Sequence, residues 1–349
     1  MIARNEARCL ARCLESARPH VDELLVVDTG STDDTPRIAL ACGARLEQFA
    51  WIDDFSAARN FALAQTEAPW RLVLDADEWI EEGGACLREA TGASPFIGEV
   101  SVRSAFDDGA AVRHAPSWIA RFLPRGPQFA GRVHEQIVHA LPVRRLPLVV
   151  GHDGYRQAQQ GAKAGRNERL LRRQLAEEPG NAYLHYQLGK DLQVQDQHAA
   201  AAAEFGRART RLGWPSAAAA GPLTPRPGWL HDLVVRELFC RKRTRDFAAA
   251  LEFARAEAPW WPESPDFHFA FADLLLDAAL AEPQRAAQLL PDMEAHLLRC
   301  LELGEKPLLE GAVEGRGSFL AAHNLAVYYD LTGRTADAAR LRAGAAVPR

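Results

Sequence analysis

The chain has no apolar run approaching the roughly 20 consecutive residues that a membrane-spanning helix needs. Its start lacks a basic stretch followed by a short apolar one, so no secretory signal is expected. It has no excess of positive charge: the formal net charge is −5, where a nucleic-acid binder would carry a basic face. It also lacks a basic amphipathic helix of the kind that lies on membranes, which weakens a membrane-surface role. The six cysteines, Cys9, Cys13, Cys42, Cys86, Cys240 and Cys300, form no Cys-x-x-Cys pair, which removes the commonest zinc and dithiol signatures. Cys9 and Cys13 lie four apart on an expected helix, read as two half-buried thiols. Together these absences lead to the expectation of a reduced, cytoplasmic protein with no nucleic-acid partner and no transmembrane segment.

What is present is an ordinary globular balance over 349 residues, 48% hydrophobic and 25% charged, enough for two domains. Residues 1 to about 90 alternate strand and helix signals. Met1–Ala3 reads as a strand end, followed by a helix from about Glu6 to Ala17. Glu23–Val27 is a second strand ending at Asp28, and Thr35-Pro36 opens a helix towards Cys42. Ala44–Phe49 is a third strand, Ser56–Gln65 a helix, and Arg71–Leu74 a fourth strand. This alternation predicts an α/β, Rossmann-like domain with a mostly parallel sheet, whose ligands bind beyond the carboxyl ends of the strands. Asp28, Asp53, Asp54, Asp75 and Asp77 all fall there. Residues from about 96 to 150 are strand-like and richer in Pro, Gly and His.

Near Tyr155 the character changes to Ala-, Leu- and Arg-rich helix, broken by Pro-rich loops such as Pro222–Gly228. A 34-residue tetratricopeptide-type period fits Pro179, Leu188-Gly189, Leu192, Ala201, Phe205 and Ala208, and a second copy fits Leu325-Ala326, Tyr329, Gly333 and Ala338. Phe247–Pro259 and Phe267–Leu301 read as degenerate helix pairs. The expected division is 1–155 for the α/β domain and 156–349 for an all-α, repeat-like domain; an irregular helical bundle is the plainer alternative. Repeats of this type stack to bury their apolar faces and leave a surface for a partner.

The segment Leu72-Val-Leu-Asp-Ala-Asp-Glu78 ends a buried strand with two carboxylates, Asp75 and Asp77. Charges there are costly unless something cationic meets them, and a hard divalent metal carrying a phosphate-bearing substrate would do so. The same acids could simply cap the next helix. Val26-Val-Asp-Thr-Gly-Ser-Thr-Asp33 offers free backbone N–H groups and Asp28 as an acceptor, although such clusters are commonly helix caps. In Trp51-Ile-Asp-Asp-Phe-Ser-Ala-Ala-Arg-Asn60, Arg59 sits on a helix that starts at Asp54 and Ser56; it points back to a nucleotide or makes a surface ion pair.

Four motifs in this order, Met1-Ile-x-Arg-Asn-Glu6, Val27–Asp33, Asp53–Asn60 and Leu74–Glu78, resemble the family-2 inverting glycosyltransferases of GT-A fold. The most similar subgroup joins this domain to tetratricopeptide-like helices and includes bacteriocin peptide S-glycosyltransferases; lipopolysaccharide-core glucosyltransferases lack the repeats. The resemblance covers about residues 1 to 155. It implies a UDP-sugar donor, Asp28 at the uracil or ribose, Arg59 near the base, Asp75 at the ribose or metal, and Asp77 ligating Mg2+ or Mn2+. Arg121-Phe-Leu-Pro-Arg125, Gly131-Arg-Val-His-Glu135 and His152-Asp-Gly-Tyr155 resemble later elements of the subgroup. Inversion needs a base to deprotonate the acceptor, with Glu135 the first candidate. His134 or His152 would complete the metal sphere, and Arg121 or Arg132 would hold phosphate. The family's first strand carries further apolar residues ahead of this motif, so either the true start lies upstream of Met1 or the strand beside the nucleotide is shortened, the latter with consequences for stability and donor affinity. The function expected is metal-dependent transfer of a hexose to a peptide or protein side chain. Alternatives are a lipopolysaccharide or other glycan acceptor, and a non-catalytic scaffold. The repeats would recruit the acceptor or support a homodimer.

Overall fold

Val26 and Val27 are completely buried, and the strand that carries them, β2 (Leu25–Asp28), lies between β1 (Ile2–Ala3) and β3 (Arg45–Gln48) in a three-stranded, wholly parallel sheet. The structure is a computed structural model and describes residues 1–107, 112–152, 165–214 and 226–344. Helix α1 (Leu10–Ala17) turns Leu10, Cys13, Leu14 and Ala17 into the core at helical spacing. Helix α2 (Thr35–Ala41) carries Pro36 in its first turn, where a missing N–H is no loss. Helix α3 (Phe55–Ala64) starts at Asp54, whose carboxylate accepts from Ala57 N–H at 2.9 Å.

The chain then builds a second sheet. Its strands are β4 (Trp70–Leu72), β5 (Glu78–Glu82), β6 (Ile97–Asp107) and β7 (Val112–Pro124), with β10 (Val143–His152) added last, in the order β4-β7-β6-β10-β5. This sheet is mixed: β6 and β10 run parallel, and the other neighbours antiparallel. Helix α4 (Cys86–Ala90) follows β5, and a small hairpin of β8 (Gln128–Ala130) and β9 (Gln136–Val138) stands apart. The core between α1 and this sheet holds Cys13, Leu74, Phe96, Phe122 and Leu148, with Trp70 stacked on Phe122 at 4.7 Å.

Two compact units result, Met1–Glu177 and Glu178–Arg349. Helix α5 (Arg166–Glu177), which falls after the boundary expected near residue 155, belongs to the first. Its buried Gln174 accepts from Arg132 N–H at 2.8 Å, and its Arg169 pairs with Asp53.

The second unit consists of helices α6 (Ala182–Val194), α7 (His198–Arg211), α8 (Leu230–Arg243), α9 (Phe247–Glu257), α10 (Pro265–Ala281), α11 (Ala286–Leu303), α12 (Phe319–Leu331) and α13 (Thr335–Gly344). Asn181, Asp246 and Ser264 cap α6, α9 and α10 with side-chain oxygens. The first repeat signature has a packing reason: a Cβ on Gly189 would lie 2.5 Å from the Phe205 ring, so only glycine lets α6 and α7 close. In the second copy, Leu325, Ala326, Tyr329 and Ala338 are buried, and Gly333 turns between α12 and α13 with a positive φ. Glu237 and Glu257, both buried, share Arg209. Among the described residues, no helix is long and apolar enough to cross a membrane.

Candidate active site

The first two motifs are one structural device. Asn5 Oδ1 accepts from Thr32 N–H at 2.8 Å, Ser31 Oγ accepts from Asn5 N–H at 2.9 Å, and Thr35 Oγ1 accepts from Glu6 N–H at 2.7 Å. The loops after β1 and β2 are thereby stitched side by side. Asp28 is 2% exposed and accepts the N–H groups of Gly30 and Ser31 at 3.1–3.2 Å. It closes its own turn and does not cap α2, whose N-cap residue, Asp34, makes no side-chain cap bond.

The third and fourth motifs converge with β7 and the hairpin. Arg59 is buried on α3. Its Nη2 donates to Asp75 Oδ1 at 2.6 Å, and its Nε donates to Glu135 Oε1. Arg121, buried on β7, donates through Nη2 to Asp75 Oδ2 at 2.7 Å and to Glu78 Oε1. The result is an alternating web, Glu135–Arg59–Asp75–Arg121–Glu78. Asn60, next to Arg59, bonds both backbone groups of Phe129 at 2.8 and 2.9 Å, fastening the hairpin that leads to Glu135 onto α3. Sequence reasoning passed over Asn60 and Glu78, although both stand inside the quoted motifs.

Burial pushes the Asp75 carboxyl up, but the Arg121 and Arg59 guanidiniums outweigh it and hold it well below the usual carboxylate range. Asp75 nevertheless keeps a third of its side chain exposed. Burial raises Glu78, against the pull of Arg121. His152, at the end of β10, lies directly opposite Glu78 of β5 in the ladder, and its Nε2 is 3.4 Å from Asp77 Oδ2. Burial lowers that imidazole, yet the Asp77 hydrogen bond and nearby carboxylates leave it raised overall.

Several expectations are corrected. Asp53 and Asp54 do not join the web: Asp53 makes a two-pronged pair with Arg169 at 2.8 and 3.0 Å, and Asp54 caps α3. Arg132 pairs with Glu177 at 3.1 Å and lies 3.9 Å from Asp54. Arg59 serves two carboxylates from buried ground instead of a surface pair. Of the two histidines offered for the metal sphere, His152 is the one found at Asp77; His134 sits in the β8–β9 turn with a positive φ, and among the described residues no three potential ligands cluster. Of the His152–Tyr155 element only His152 lies within the described residues.

The donor set still fits a divalent cation. The Asp77 carboxylate suits Mn2+ or Mg2+, ions that draw their remaining ligands from phosphate oxygens and water, while the facing His152 imidazole, a nitrogen donor, favours Mn2+ of the two. Arg59 Nη1 and Arg121 Nε are buried N–H groups with no hydrogen-bond partner among the described residues, a capacity that anionic or hydroxyl oxygens would satisfy.

Residues 1–90 match the family described as glycosyl transferase family 2. A TPR repeat-containing protein of Synechococcus elongatus is 34% identical over 72% of this chain and 63% of its own length. The SPbeta prophage-derived glycosyltransferase SunS of Bacillus subtilis is 27% identical over 56% of this chain and 49% of its own. The succinoglycan biosynthesis protein ExoU of Rhizobium meliloti is 34% identical over 35% and 37%. The chain thus spans between about half and two thirds of the first two relatives. It carries a glycosyl transferase family 2 domain at its N-terminus, followed by TPR-like helical repeats.

Proposed function

We propose that the chain transfers a hexose from a UDP-sugar, with inversion, to a peptide or protein side chain, using Mg2+ or Mn2+. One observation carries this reading. Within a glycosyl transferase family 2 domain, two buried arginines clamp Asp75 beside the Asp77–His152 pair, and Glu135 is tied into the same web. Asp77 and His152 would hold the metal, which when bound supplies Lewis acidity to the diphosphate. The partnerless N–H groups of Arg59 and Arg121 suit phosphate or ribose oxygens. Asp75, kept ionised by its guanidiniums, accepts from a ribose hydroxyl. Asp28 lines the uracil or ribose side while holding its own turn. Arg59 holds Glu135 Oε1, and among the described residues Oε2 makes no hydrogen bond. That oxygen takes the acceptor proton as attack proceeds on the face opposite the leaving diphosphate.

The likeness to peptide S-glycosyltransferases favours a peptide acceptor, which the repeats would present to the site. A glycan acceptor is the second reading, favoured by the match to a succinoglycan biosynthesis protein. Incubating the protein with UDP-sugars and Mn2+ should release UDP. Asp77→Ala should not, and a scaffold without catalytic function would release none in either form.

A further inference from the structure

Glu78 is a carboxyl buried away from any ligand. It is the first residue of β5 and 2% exposed. Its N–H donates to Asp75 O at 3.0 Å, and its Oε2 accepts from Asp75 N–H at 2.8 Å. The turn Asp75–Glu78 is therefore closed from both ends. Its Oε1 accepts from Arg121 Nη2, the same nitrogen that donates to Asp75 Oδ2. Across the ladder it pairs with His152, which faces Asp77.

Arg121 already has Asp75 as a partner, and burial pushes the Glu78 carboxyl up rather than favouring its charge, so an ion pair alone does not account for Glu78. Its contribution is geometric. We propose that Glu78 is a positioning residue: by closing the acidic turn on Asp75 and standing opposite His152, it sets where the Asp77 carboxylate meets a divalent cation, without touching cation or donor. The proposal rests on the reading of Asp77 as a metal ligand.

Calorimetric titration of the full chain with UDP, with Mn2+ and with EDTA, tests it. Glu78→Gln keeps the side-chain length and an oxygen for Asp75 N–H but loses the charge on Arg121. Glu78→Asp keeps the charge but shortens the arm. In both, the Mn2+ needed for half-maximal UDP binding should rise about ten-fold or more, with the affinity in EDTA within about two-fold of wild type. Should Glu78→Gln fail to fold, Glu78→Asp carries the same comparison, with faster hydrogen exchange at the Asp75 amide as a second readout. An unchanged Mn2+ requirement in a folded variant overturns the proposal. So does an equal loss of UDP affinity with and without metal, which marks a general structural role. An Asp77→Ala control that behaves like wild type overturns the metal reading itself, and Glu78's part with it.

Discussion

Arg59 bonds carboxylates on either side of it in space that lie far along the chain, Asp75 16 residues on and Glu135 76 residues on. Removing it would leave both without their shared cation in a largely buried place. Arg59→Ala should therefore cost about 3–5 kcal/mol of unfolding free energy, read by denaturant titration. Arg59→Lys, a point charge without the planar fork, should recover only part of that loss. The contrast is Asp53–Arg169, equally well formed but solvent-exposed. Arg169→Ala should leave the melting temperature near that of the wild type, because water screens such pairs. Two pairings of similar geometry thus differ in consequence, and burial decides which matters.

At the scale of elements, β5 and β10 meet at Gly151, where a Cβ would lie 2.3 Å from the Trp79 ring. The Arg12 guanidinium covers Trp79 at 3.6 Å, so the ring has no simple escape. Gly151→Val should destabilise the chain by about 1–3 kcal/mol through overpacking and loosen His152 next to it. Activity should fall before the fold is lost, visible as lowered UDP-sugar turnover at temperatures where circular dichroism is unchanged.

Helices α10 and α11 meet through His268 and His296, whose Nδ1 atoms are 2.7 Å apart. His268 Nε2 faces Pro262 O at 3.3 Å and donates to it. Its Nδ1 is then the acceptor and that of His296 the donor, and a further proton on His268 would set N–H against N–H. Burial and then His268 lower His296 from 6.5 to about 4, and burial lowers His268, with Arg299 adding to the shift and Glu263 opposing it. Between pH 6.5 and about 4 the unfolded chain takes up protons that the folded pair refuses. Stability fully present above pH 6.5 is therefore lost as pH falls through that window, on the order of 3 kcal/mol at its lower end. Urea unfolding at pH 7.5 and 4.5 should show the drop, and His296→Asn should flatten it.

For the molecule as a whole, the order of its parts was legible from local patterns. Periodicity marked α1 to α3, and the Gly189–Phe205 spacing marked the first helix pair of the second unit. The acidic turn also stood out, because two carboxylates at the end of an apolar strand are a local contradiction. Partner choice was not legible: nothing in the spacing of Asp53 says that it meets Arg169, or in Glu135 that it meets Arg59. Such pairings depend on where β7, the hairpin and α5 come to rest, and local sequence does not carry that. The mixed character of the second sheet was hidden for the same reason, since strand direction follows from the β6–β7 connection.

Whether Asp77 anchors a metal-bound sugar nucleotide is tested most directly by UDP release from UDP-sugars in the wild type and Asp77→Ala, each with Mn2+ and with EDTA. Lewis-acid help worth several kcal/mol predicts wild-type turnover that needs Mn2+ and falls about 100-fold or more in Asp77→Ala. Equal turnover in the two proteins, or none from the wild type with any nucleotide sugar, would contradict it.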